Sequence, residues 1–228
     1  MSLNTKQIGD LNCLVSDSSK DKKTVLVCHG YGASKEDLAG LLPYISCSTD
    51  FNWVFPDAPL TIPIGPMMTG RAWFPIAIET LERAMVEGKD SVYQNLIPEG
   101  MDDAVNKLKA LVGDLGVEEK DLIVIGFSQG SMVLTHLVLN HFSKPVAGVA
   151  LLSSTLIAEP LLEKTSFSLN IFQSHGRNDE VLPLNGAKML EGKLASLSHI
   201  VDFHEFQGGH EIPMDIINAL DIYLKQRI

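Results

Sequence analysis

The stretch Gly126-Phe127-Ser128-Gln129-Gly130 constrains this chain more than any other, because of what stands on either side of it. Before it, Leu122-Ile123-Val124-Ile125 is a short β-branched apolar run that reads as a buried strand. After it, Ser131 to Leu139 is long and apolar enough to be a helix packed on a sheet. A strand that turns sharply into a helix through G-x-S-x-G is a nucleophile elbow, which lifts a serine Oγ clear of the sheet. The glycines matter because the turn is tight, and a Cβ on either side would strike neighbouring backbone. The bare pattern arises by chance in roughly one chain of this length in ten, so a serine between two turn glycines is the alternative. The strand before and the helix after weigh against it.

An elbow serine needs an acid and a histidine further along the chain, in that order. Leu169 to Ser174 reads as a strand running into His175-Gly176-Arg177-Asn178-Asp179-Glu180. An acid just past the end of a strand is where the aspartate belongs, and Asp179 is preferred to Glu180; Asp202 and Asp215 remain as rivals. Val201 to Phe206 alternates polar and apolar residues as a further strand, and ends at Gln207-Gly208-Gly209-His210. His210 thus sits on a glycine-rich loop ahead of a helix beginning near Pro213. Ser128, Asp179 and His210 follow the required order. His29 and His175 read as local hydrogen-bonding residues, and His136, His141, His199 and His204 lack the glycine-rich setting.

Acyl transfer at the serine also needs donors for an oxyanion. The backbone N–H of the residue after the nucleophile, Gln129, supplies one. The other belongs on an early strand-to-helix loop, and His29-Gly30-Tyr31-Gly32 follows the β-run Thr24 to Cys28, which makes the Tyr31 N–H the candidate. Ser34-Lys35-Glu36-Asp37 announces the next helix with a capping pattern.

His29-Gly30-Tyr31-Gly32, Phe55-Pro56-Asp57-Ala58-Pro59, Arg71-Ala72-Trp73-Phe74, Gly126-Phe127-Ser128-Gln129-Gly130, His175-Gly176-Arg177-Asn178-Asp179 and Gly208-Gly209-His210-Glu211 form an ordered set. That set resembles the small carboxylesterase, lysophospholipase and acyl-protein thioesterase family of α/β-hydrolases, from about Val25 to the C-terminus. The resemblance implies a serine hydrolase with a minimal cap, acting on small carboxylic esters or thioesters without metal or organic cofactor. Short to medium acyl chains are the first expectation, with thioesterase or lysophospholipase activity as the alternative. A non-catalytic ligand-binding protein on the same fold is the more distant one. Ser131 stands where a further glycine is common, and Ile64 to Gly70 carries no pattern that transfers.

Composition sets limits on the rest. A chain of 228 residues, 45% hydrophobic, is within the range of one α/β domain spanning 1–228. Strands alternating with helices imply a mostly parallel central sheet with helices on both faces. No segment approaches a transmembrane helix, and Met1 to Asp10 has no apolar signal core. With Cys13, Cys28 and Cys47 too few for a disulfide framework, a cytoplasmic setting is expected. A net charge of -10 argues against nucleic acid as a partner. Residues 57–99 break the rhythm as an irregular excursion near the active face. Its Met67, Met68, Trp73 and Phe74 are expected to wall an acyl pocket, to anchor the excursion to the core or, if exposed, to form a homodimer patch. Glu79 to Val86 is expected to form a short surface helix.

Overall fold

Strands built from uninterrupted Val, Ile and Leu cannot leave a face in water, so they must be covered on both sides. The computed structural model describes residues 2–17, 19–76 and 94–228. Ten strands are present among them: β1 (Leu3–Ile8), β2 (Leu11–Ser16), β3 (Thr24–Cys28), β4 (Asn52–Pro56), β5 (Leu60–Gly65), β6 (Met68–Ala72), β7 (Leu122–Phe127), β8 (Gly148–Leu152), β9 (Asn170–Gly176) and β10 (Ile200–Phe206). Eight form one sheet in the order β1-β2-β4-β3-β7-β8-β9-β10. From β4 to β10 all neighbours run parallel, and only β2 on β4 and β1 on β2 are antiparallel. β1 was not expected. Four of its six residues are exposed, as suits an edge strand, so it carries no apolar run to read.

Successive strand residues feed two separate cores. Leu26, Val54, Val124, Leu151 and Ile171 point to one, while Val25, Trp53, Phe55, Ile123, Ile125, Leu152 and Phe172 point to the other. This is the two-residue period of a strand applied to a sheet buried on both faces. Helices α2 (Met101–Leu115), α3 (Gln129–His141) and α4 (Leu184–Ser196) cover the first face. Helices α1 (Lys35–Ala39) and α5 (Met214–Lys225) contribute to the second. The mostly parallel sheet covered on both faces is what the alternation of elements implied, and the arrangement is the α/β-hydrolase fold implied by the resemblance.

Helix ends follow local chemistry, with one change. Gly116 closes α2 in the left-handed region at φ 65°, where a side chain would be strained. Ser34 stands at the N-cap of α1 but makes no side-chain cap bond. The cap comes from across the fold: Asp57 Oδ1 accepts the Lys35 N–H at 2.9 Å, and Asp57 Oδ2 pairs with Lys35 Nζ at 2.8 Å. Asp57 thereby ties the end of β4 to the start of α1.

Within the excursion, β5 and β6 pair as an antiparallel hairpin with an irregularity between Pro63 and Gly65. The hairpin is laced to the loop after β3. Gly32 N–H donates to Arg71 O at 2.8 Å, and Arg71 N–H donates to Ala33 O at 2.9 Å. Gly70 permits this approach, since a Cβ there would lie 2.0 Å from the Gly32 oxygen. The helix expected over Glu79 to Val86 lies outside the described residues.

Candidate active site

Ser128 stands between the last residue of β7 and the first of α3, at φ 53° and ψ -120°. A non-glycine residue there carries strain of about 1–3 kcal/mol that the surroundings must hold in place. They do so through close packing. A Cβ on Gly126 would come within 2.4 Å of the Ser131 nitrogen, and one on Gly130 within 2.1 Å of the Cys28 oxygen. The Ser128 N–H donates to Leu152 O at 2.9 Å. Ser131 adds a tie that glycine would lack: its Oγ accepts the Leu152 N–H at 3.1 Å and faces the Leu152 carbonyl at 3.2 Å.

Asp179 and His210 meet at the ends of β9 and β10. Asp179 Oδ2 lies 2.7 Å from His210 Nδ1, while Oδ1 accepts the N–H groups of Val181 at 2.9 Å and Leu182 at 2.8 Å. Burial works to raise the carboxyl, but the His210 bond, the Leu182 N–H and the two nearby imidazoles outweigh it and hold it below its ordinary range. His175 also reaches this carboxylate, with Nε2 at 3.3 Å from Oδ2. The two loops are stitched together by Arg177 N–H to Phe206 O and Asn178 N–H to Gly208 O, each at 2.9 Å. Gly176 is required because a Cβ would sit 2.2 Å from Gly209 O. With Nδ1 engaged by the carboxylate, Nε2 is the nitrogen of His210 left to accept a proton. The ring of Phe127, the residue before Ser128, supports this imidazole at 4.9 Å between centroids.

The rivals stand elsewhere. Glu180 is exposed, Asp202 pairs with His204 at 3.0 Å, and Asp215 bonds the N–H of Ile216. His136 bonds the Ile157 carbonyl, His199 accepts the Leu169 N–H, and His204 stacks on Phe172.

The loop after β3 packs against the elbow: a Cβ on Gly30 would lie 3.3 Å from Ser128 Cβ. Tyr31 follows on that loop. Gln129 opens α3, so its N–H is among the first-turn donors that have no acceptor within the helix, at the positive end of the dipole. A hydrogen-bonded scaffold joins the loop after β3 to the start of α3. Gln129 Oε1 accepts the Trp73 N–H and Gln129 Nε2 donates to Phe74 O, both at 2.8 Å. The Trp73 indole donates to His29 O at 2.8 Å. His29 Nδ1–H donates to Gly30 O at 2.7 Å, which leaves Nε2 to accept the Ala58 N–H at 3.1 Å. Burial holds this imidazole below its ordinary range, so it stays neutral. The Gln129 side chain, the backbone roles of Trp73 and Phe74, and Gly70 escaped the sequence reading, because their work is done through main-chain atoms.

The four residues expected to wall a pocket do not come together. Trp73 and Phe74 belong to the core, 1% and 2% exposed, while Met67 at the hairpin turn is fully exposed and Met68 is 61% exposed. Trp73 and Phe74 anchor the excursion and are not available to a dimer surface. Ile64 lies over Gly32, whose Cβ position is 3.3 Å from Ile64 Cγ2, so the exposed apolar side of the hairpin borders the loop that carries Tyr31.

The family profile described as Phospholipase/Carboxylesterase matches residues 10–228. The chain belongs to this family. Among relatives of this phospholipase/carboxylesterase, acyl-protein thioesterase 1 of Mycosarcoma maydis is 30% identical over 210 residues, covering 82% of this chain and 83% of that protein. Lysophospholipase-like protein 1 of Mus musculus is 25% identical, covering 95% of this chain and 91% of its own. The crystal structure of esterase PE8 superposes over the whole of both chains with a TM-score of 0.76 at 26% identity. The family member described here is a hydrolase of the carboxylesterase type. No helix among its described residues is long and apolar enough to cross a membrane.

Proposed function

We propose that this carboxylesterase-family hydrolase cleaves small carboxylic esters of short to medium acyl chain through an acyl-enzyme on Ser128. The observation that carries the reading is the Asp179–His210 bond of 2.7 Å, with the second carboxylate oxygen held by two backbone N–H groups. In this reading His210 Nε2 takes the proton from Ser128 Oγ as Oγ bonds the carbonyl carbon. Asp179 keeps the imidazole in the Nδ1–H tautomer and stabilises the imidazolium. The Gln129 and Tyr31 N–H groups receive the oxyanion, where loss of a donor typically costs about 3 kcal/mol of barrier. The tetrahedral species collapses, the carbon–oxygen bond to the leaving group breaks, and the imidazolium supplies that group's proton. Water then repeats the sequence on the acyl-enzyme and releases the acid and Ser128. Three buried, unpaired cysteines suit a reducing cytoplasm.

A second reading, hydrolysis of longer acyl thioesters or lysophospholipids, is favoured by the exposed Ile64, Met67 and Met68 of the hairpin and Tyr31 of the loop it borders, and by the names of the two relatives. The test is turnover of p-nitrophenyl esters from acetyl to dodecanoyl, with acyl-CoA and lysophospholipid in parallel, for the wild type and Ser128→Ala. Ser128→Ala is expected to lower kcat on the order of a million-fold. A maximum at short chains supports the first reading, and a maximum at long chains or on the lipid substrates supports the second. Undiminished turnover by purified Ser128→Ala would overturn both.

A further inference from the structure

Asp179 meets two imidazoles. Beside His210 on Oδ2 stands His175, near the end of β9, whose side chain has no exposed surface. His175 Nε2 lies 2.7 Å from the Leu182 carbonyl oxygen, so this nitrogen carries the proton and donates it. Leu182 in turn donates its own N–H to Asp179 Oδ1. His175 Nε2–H to the Leu182 carbonyl and Leu182 N–H to Asp179 Oδ1 therefore form a bonded chain from His175 to the carboxylate, with Nε2 also lying 3.3 Å from Oδ2. Nδ1 of His175 is buried with no hydrogen-bond partner among the described residues. A second proton there would create a buried donor with nothing to receive it. Burial holds this imidazole below its ordinary range, against the raising effects of the Leu182 carbonyl and Asp179. The ionisable groups facing it are Asp179 and His210. His175 is thus a neutral donor beside a carboxylate.

We infer that His175 is a positioning residue for Asp179: its Nε2–H, anchored on the Leu182 carbonyl, holds the loop after β9 in the conformation that turns Asp179 Oδ2 toward His210. The inference rests on the reading of Ser128, His210 and Asp179 as the catalytic set. Its chemistry separates it from simple space-filling, because a donor at the Nε2 position is needed and apolar bulk is not enough.

The experiment compares the wild type, His175→Leu and His175→Gln in p-nitrophenyl butyrate hydrolysis as a function of pH, with thermal unfolding of each. Loss of the donor is expected to lower kcat on the order of 10- to 100-fold, as for other outer partners that orient a reactive group, with KM within about twofold. An imidazole that loses its carboxylate partner gives up a proton more readily. The acid limb of kcat/KM in His175→Leu is therefore expected to move to lower pH, and His175→Gln to restore both the limb and most of the rate. A His175→Leu protein with the wild-type limb and kcat, whatever its melting temperature, overturns the inference. Should His175→Leu fail to fold, nitrogen-15 NMR of the wild type decides. His175 is expected to remain the neutral Nε2–H tautomer across the pH range in which activity rises, and an Nδ1–H tautomer or a protonated ring there overturns it. Ser128→Ala run alongside separates the two levels: if it keeps turnover, the catalytic reading fails; if it is inactive while His175→Leu behaves as wild type, the positioning role alone fails.

Discussion

Ser128 is held in a conformation that serine avoids, and the residues that hold it are small or polar for a reason visible at each one. Gly126 and Gly130 leave room for backbone that would otherwise collide, and Ser131 adds a bond to Leu152. The Gln129 side chain acts beyond its own position, since it closes a bonded link to Trp73 and Phe74. Gln129→Leu would leave the Trp73 N–H and the Phe74 carbonyl buried without partners, each costing about 1–3 kcal/mol. We expect a lower urea midpoint and reduced kcat with the fold retained; an unchanged midpoint would show that the link carries no weight. The turn position of Ser128 between β7 and α3, and the loop positions of Asp179 and His210 after β9 and β10, were legible in the sequence because polar residues at strand ends leave a residue signature. The Gln129 link was not, since its partners are main-chain atoms 55 and 56 residues away.

Among elements, the β5–β6 hairpin shows what a glycine can conceal. Its strands hold the loop of Gly30 to Ala33 edge-on, through bonds between Arg71 and both Gly32 and Ala33. Gly70→Ala is expected to push the hairpin off this loop, because the new Cβ would overlap the Gly32 oxygen. A displacement near 1 Å at a catalytic group can cost about 100-fold in rate, so kcat should fall by that order. A Gly70→Ala enzyme with wild-type kcat would mean that the hairpin and the loop are independent. The parallel strands β3 and β7 were readable as apolar runs, β10 as an alternating one, and α3 and α5 as helices beside them. The exposed edge strand β1 and the cap of α1 were not. The first lacks apolar contrast, and the second depends on Asp57, which reaches the helix only after β3 and β4 pair.

For the whole molecule, charge state and topology set the working limits. His29, His136, His175 and His199 are all held below the ordinary imidazole range, in each case mainly by burial. The unfolded chain takes up protons at these positions near pH 6.5, by typical values of about 6.5, while the folded chain resists. Their contribution is complete above that pH and is lost as the pH falls below it. Asp179 and Asp221, each held low by hydrogen bonds that outweigh burial, add a second loss below roughly pH 4. The melting temperature should therefore fall steadily from pH 7 to pH 5, and a flat profile would contradict this. His136→Gln, which keeps a donor for the Ile157 carbonyl, should flatten part of the slope. Topology acts on another timescale. In the sheet, β3 lies against β7, with Thr24 opposite Leu122, so one of its central seams joins segments almost a hundred residues apart. Closing so distant a pair makes folding slow relative to helical chains of equal stability. The segment bearing Tyr31 follows one side of that seam and Ser128-Gln129 follows the other. Hydrolytic competence should thus emerge only as the seam closes, which makes the appearance of activity a clock for the final stage of folding.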